Sequence, residues 1–147
     1  MVRMVHGKEH LPNNLEVLID SNVFVGLFLP DDAHFQRVTE LFNQFERQKT
    51  KLSVTNWVVA ETATVLSWKD TQETAKKFLH MIETSNIPVL TVTKNIEKEA
   101  WQIFKDQSTK KTSFVDCSNI AVANHFHIPQ ICAFDKFYGR FDLDQLN

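Results

Sequence analysis

Four acidic residues carry whatever chemistry this sequence can do. Asp20 and Asp135 each follow a short apolar run, Val17-Leu18-Ile19 and Ile131-Cys132-Ala133-Phe134. Glu61 and Asp116 each fall in the opening turns of a segment with helical periodicity. Gathered together, such acids repel. At about 6 Å and an effective dielectric near 20, each close pair costs about 3 kcal/mol. A divalent cation relieves the repulsion, and carboxylates without His or thiolate neighbours favour hard ions such as Mg²⁺ or Mn²⁺. Such an ion keeps several waters and engages phosphate oxygens, which suits hydrolysis of a phosphodiester. Each acid also has a plain structural use. Asp116 completes Ser-x-x-Asp with Ser113, a capping box. Asp20 and Asp135 can close turns after strands, and Glu61 can be a solvated helix residue.

The acids converge only if the elements that carry them do. Val17 to Ile19 reads as a buried strand running into a helix cap at Asp20-Ser21-Asn22, with a short helix over Val23 to Leu29 stopped by Pro30. Asp31 and Asp32 can cap the next helix, where Phe35, Val38, Leu41, Phe42 and Phe45 form one apolar stripe. Leu52 to Val54 reads as a strand. Thr55 or Asn56 caps a helix through Leu66, and Asp70 opens another that holds Ala75, Phe78, Leu79 and Ile82. Ile87 to Val92 reads as a strand, Thr93 caps a helix, and Ser113 starts the helix of Asp116, ended by Ile128-Pro129. Strands alternating with helices predict an α/β fold: one domain with a central, mostly parallel β-sheet flanked by helices on both faces. Right-handed crossovers place the strand C-termini on one edge, where ligands bind. All four acids fall at that edge.

Composition agrees with one packed domain. The chain has 147 residues, 43% of them hydrophobic, with 12 Phe but only 3 Gly and 4 Pro. A net charge of −2 marks no globally basic nucleic-acid binder, so a nucleic-acid partner needs a local basic patch. Lys105, Lys110, Lys111, Lys136 and Arg140 flank the acids in sequence. Residues 1–14 are expected to be a flexible tail rather than a signal peptide, and the domain to run over 15–147. No apolar run approaches the ~20 residues of a membrane span, so no membrane contact is expected. Cys117 and Cys132 are expected to be reduced core thiols of a cytoplasmic protein.

The segments Leu18-Ile19-Asp20-Ser21-Asn22-Val23, Val59-Ala60-Glu61, Ser113-Phe114-Val115-Asp116 and Ala133-Phe134-Asp135-Lys136-Phe137 resemble the four acidic motifs of PIN domains, in order and spacing. The resemblance runs from about Leu15 to the C-terminus and is nearest to the short prokaryotic branch that includes VapC-type toxins. It implies a PIN-like domain with Mg²⁺- or Mn²⁺-dependent endoribonuclease activity on single-stranded or looped RNA. It also implies a toxin of a type II toxin–antitoxin pair, with an antitoxin partner, and a homodimer. Catalytic Asp20, Glu61, Asp116 and Asp135 are implied, with Asp20, Asp116 and Asp135 holding metal and Glu61 acting directly or through water. Asn22 would orient Asp20 or the phosphate, and Lys136 and Arg140 would contact substrate. The fourth acid is the family's least dependable position. The alternatives are a non-catalytic or RNA-processing PIN-domain protein outside a toxin–antitoxin system. A haloacid dehalogenase-like phosphohydrolase would need Asp-x-Asp after the first strand, where this chain has Asp20-Ser21-Asn22.

Overall fold

The structure is a computed structural model that describes residues 4–5 and 14–147. Among the described residues six parallel strands form one sheet in the order β1-β4-β3-β2-β5-β6: β1 Met4–Val5, β2 Val17–Ile19, β3 Leu52–Thr55, β4 Val89–Leu90, β5 Gln130–Cys132 and β6 Asp144–Leu146. Between them run α1 Ser21–Phe28, α2 Phe35–Gln48, α3 Asn56–Lys69, α4 Gln72–Thr84, α5 Lys94–Lys105 and α6 Phe114–Phe126, with a 3₁₀ turn at Lys136–Arg140.

The period of two along each strand sorts side chains between two cores. Leu18, Leu90 and Ile131 face α5 and α6, where they join Ala100, Ile120 and Ala121. Val17, Ile19, Val89 and Cys132 face α1 to α4, where they join Val23, Phe24, Val38, Leu66 and Phe78. The α1–α4 face is rich in aromatic contacts: Phe24 lies 5.4 Å from Phe78 and 6.0 Å from Phe42 between ring centroids, and Phe28 meets Phe78 edge-on at 5.6 Å. α1 and α2 approach closely at Gly26, where an added Cβ would lie 3.3 Å from Val38 Cγ2.

Several expected boundaries move. Met4–Val5 pairs with Val89–Leu90 as an edge strand, so two residues of the expected tail belong to the sheet. The remainder of that tail before Asn14 lies outside the described residues. Asp32 does not cap α2. Its Oδ1 closes a turn onto the His34 amide, and the helix begins at Phe35. Thr55, not Asn56, caps α3, while Asn56 Oδ1 accepts from the Val92 amide. Asp70 ends α3, and Thr71 caps α4. The strands beside Pro88 and Phe134 are shorter than expected. β6 was not anticipated: Asp144-Gln145-Leu146 is too short and polar to signal a strand alone, and it pairs only as an edge.

Cys117 and Cys132 are buried and free, on opposite faces of the sheet. Burial pushes their thiols up to about 11 and about 12, which suits inert packing. Among the described residues no helix is long and apolar enough to cross a membrane.

Candidate active site

β2 is the strand from which the chain departs in both directions, to β3 on one side and β5 on the other. A crevice opens at such a reversal. Asp20 stands there, directly after β2. Its amide donates to Cys132 O of β5 at 3.0 Å, which draws the two strand ends together. Its side chain caps α1, with Oδ1 accepting from the Ser21 amide at 2.8 Å. The capping reading of Asp20 is therefore realised. Asn22, one residue further, is exposed on α1 and does not cap it.

Asp116 is in the first turn of α6. Ser113 Oγ accepts from the amides of Val115 and Asp116, which is the capping half of the expected box. The Asp116 carboxylate turns inward instead, and its Oδ1 accepts from the Tyr138 hydroxyl at 3.0 Å. Asn119, one helical turn after Asp116, donates from Nδ2 to Asp20 Oδ1 at 3.2 Å and to the Tyr138 hydroxyl oxygen at 2.9 Å. Asp20, Asn119 and Tyr138 are all buried.

The site's electrostatics link all four acids. Asp20 is pushed up to about 6 by burial first, opposed by the Ser21 amide and raised further by Glu61 and Asp135. Asp116 is pushed up to about 7 by burial first, then by the charge of Asp20, with smaller contributions from Asp135 and Glu61. The nearby Tyr138 hydroxyl, which donates to Asp116, tempers both. Its own phenol is driven well above its ordinary range by burial and the two aspartates. No Lys or Arg figures among the groups acting most strongly on either aspartate.

The four acids are not equivalent. Glu61 is half-buried on α3 and Asp135 is exposed, with its Oδ1 engaged by the Phe137 amide at 2.9 Å as the cap of the 3₁₀ turn. Among the described residues no three Asp, Glu, His or Cys side chains gather closely enough to cage an ion unaided. The donor set still fits a hard cation of the Mg²⁺ type. Such an ion is commonly held by one or two carboxylates, with waters and substrate phosphate completing its shell. One buried and one half-buried carboxylate, both with raised proton affinity and each pressed by neighbouring acids, are the chemistry it would satisfy. Lys136 and Arg140 are exposed on the turn that Asp135 caps, and Arg140 Nη1 donates to Gln107 Oε1 and Thr109 Oγ1.

Sequence reasoning missed Asn119 and Tyr138. A signal existed for the first. Asn119 follows Asp116 at the i, i+3 spacing inside the apolar stretch around Ile120, Ala121 and Val122, and a polar side chain there needs buried partners. Tyr138 lies three residues after Asp135, but nothing local says that its hydroxyl turns inward.

A family model described as the PIN domain matches residues 17–142. A VapC ribonuclease of Archaeoglobus fulgidus is 28% identical over 126 residues, covering 84% of this chain and 80% of the relative. Among solved structures, Mycobacterium tuberculosis VapC20, a Sarcin-Ricin loop cleaving toxin, superposes with a TM-score of 0.77 at 21% identity over 87% of this chain and 98% of that one. VapBC2 from Rickettsia felis, bound to a DNA fragment from their promoter, matches with a TM-score of 0.65 at 14% identity, covering 89% and 97%. FitAcB from Neisseria gonorrhoeae matches with a TM-score of 0.64 at 18% identity, covering 89% and 96%.

Proposed function

Because this chain belongs to the PIN-domain family, we propose that its acidic crevice is the active site of a metal-dependent endoribonuclease, the toxin of a type II toxin–antitoxin pair. The observation that carries this reading is the pair of carboxylates at the sheet's reversal point, buried Asp20 and half-buried Asp116, both pushed up by desolvation and by neighbouring acids. The likeness to the Archaeoglobus fulgidus VapC ribonuclease supports the activity. The antitoxin expectation is carried from the matched VapBC2 of Rickettsia felis. A homodimer acting on cytoplasmic RNA completes the proposal.

Asp20 and Asp116 would hold Mg²⁺ or Mn²⁺ directly, and Asp135 would reach it directly or through water. When bound, the ion supplies an activated water and positive charge for the leaving oxygen of a phosphodiester. Glu61, half-buried on α3, adds negative charge to the crevice and would act directly or through water. Lys136 and Arg140 are assigned to substrate phosphates, where contacts set affinity and orientation. Asn22, exposed beside Asp20, would contact the phosphate rather than cap the helix.

The test incubates purified protein with a looped RNA in Mn²⁺ and in EDTA, alongside D116N. Cleavage that requires Mn²⁺ and is lost in D116N is expected. Equal cleavage by wild type and D116N would remove the site assignment, and cleavage undiminished by EDTA would remove the metal.

A further inference from the structure

Asp20 and Asp116 are carried by different elements, the end of β2 and the first turn of α6. Nothing covalent fixes their separation. A hydrogen-bonded series does: Asp20 Oδ1, Asn119 Nδ2, Tyr138 hydroxyl, Asp116 Oδ1, with steps of 3.2, 2.9 and 3.0 Å. Its donors are fully matched to its acceptors. An amide nitrogen offers two hydrogens, one for Asp20 and one for Tyr138. The hydroxyl accepts from Asn119 and gives its single hydrogen to Asp116. The series thus ends at both sides on a carboxylate, Asp20 accepting from Asn119 and Asp116 from Tyr138.

The other end of Asn119 shows what this arrangement displaces. Asn119 Oδ1 is buried and has no hydrogen-bond partner among the described residues. A buried acceptor left unmade is unfavourable. Turning the amide over would not remedy it, because that would set an oxygen lone pair against Asp20 Oδ1. The amide is thus placed for its nitrogen. In both carboxylates the bonds fall on Oδ1, which leaves the second oxygen of each for another ligand.

Resting on the reading of this crevice as a cation site, we propose that Asn119 and Tyr138 are positioning residues. They form a buried strut that sets the spacing and tilt of Asp20 and Asp116 before any cation arrives. Neither touches the reacting atoms. They act by making a site of two carboxylates from two separate elements behave as one rigid clamp, which is how supporting hydrogen bonds tune metal ligands generally.

Tyr138 is the only tyrosine of the chain, so the strut can be watched directly. Growth on 3-fluorotyrosine places one fluorine reporter, at Tyr138. Titrating Mg²⁺ into the metal-free protein should move that single resonance, saturating at the concentration that raises Tm. In unlabelled protein, Y138F removes one oxygen and keeps the ring that packs in the core. Its Mn²⁺ affinity and kcat should each fall ~10- to 100-fold, with KM for RNA within about twofold. N119A should behave similarly, and the double variant should be little worse than the poorer single one, because each cuts the same series. Mn²⁺ affinity and kcat within about twofold of wild type in Y138F, or a fluorine resonance that stays still while Tm rises, would overturn the strut and leave the nuclease reading standing. A wild-type protein that binds no divalent ion would overturn both. If Y138F folds poorly, the fluorine titration decides alone.

Discussion

Two regions of this molecule meet along one helix and follow opposite rules. At its start, α1 is capped by Asp20, whose buried carboxylate is held among other acids. A turn later on the same helix, Phe24 enters a cluster with Phe28, Phe42 and Phe78 whose rings pack against one another. The aromatic side draws stability from burial and close packing. The acidic side gives stability up, because desolvation and like charge both oppose ionisation there. The difference teaches that α1 is anchored by its apolar half so that its N-terminus can carry an unfavourable charge.

Removing the anchor should have the largest effect. Phe78→Ala deletes a fully buried ring and is expected to destabilise by about 3–5 kcal/mol. Urea unfolding would read this, while cleavage per folded molecule should stay within about twofold. A large loss of activity at full folding would break the separation between the two regions. Changing the acids should do the reverse. Asp20→Asn and Asp116→Asn keep shape and remove charge. We expect cleavage to fall roughly 100- to 1,000-fold, with Tm in EDTA unchanged or raised. A lowered Tm would mean that the charges stabilise the fold.

The pH dependence sharpens the contrast further. Asp20 is raised from 3.8 to about 6 and Asp116 from 3.8 to about 7. The folded protein therefore binds more protons than the unfolded chain across this window, and stability falls as pH rises. For Asp20 the shift corresponds to about 3 kcal/mol. The metal-free protein is expected to be more stable near pH 4.5 than near pH 7.5 in this contribution, and D20N should flatten the slope. Saturating Mn²⁺ at pH 7.5 should restore about 3 kcal/mol at a hundredfold excess over Kd. Thermal unfolding across pH, with and without Mn²⁺, measures all three. The smallest effect belongs to a remote cap. Thr71→Ala, which removes the oxygen that accepts from the Thr74 amide, should cost about 1 kcal/mol and leave both cleavage and the pH slope alone.

The α/β architecture was legible because β2 and β5 lie in short apolar runs that end at Asp20 and Asp135, and helices such as α2 and α5 repeat their apolar residues at three and four. Asp20, Glu61, Asp116 and Asp135 were legible because strand order sends them to one edge. Their unequal burial was not. Asp135 reads in sequence as the twin of Asp20, yet it is exposed and spends an oxygen on the Phe137 amide. Burial depends on what packs over a residue, and the parts that cover Asp20 come from Asn119 and Tyr138, about a hundred residues away. β6 was hidden for a related reason. An edge strand of Asp144-Gln145-Leu146 earns its conformation from β5, not from its own propensity.

The distance in sequence across this centre has a consequence for how the molecule comes into being. Asp20 lies 99 residues before Asn119, and β2 gains its second neighbour only when residues 130–132 arrive. Chains are made and folded from the N-terminal end. Until β5 docks, the nascent protein carries Asp20 on one flank of an unfinished sheet and no Tyr138 to join it to Asp116. A ribosome therefore carries Asp20 without Asp116, Asn119 or Tyr138 for most of the time it spends making this chain. The assembled whole exists only after the last strands have closed the sheet, so the activity is timed by topology.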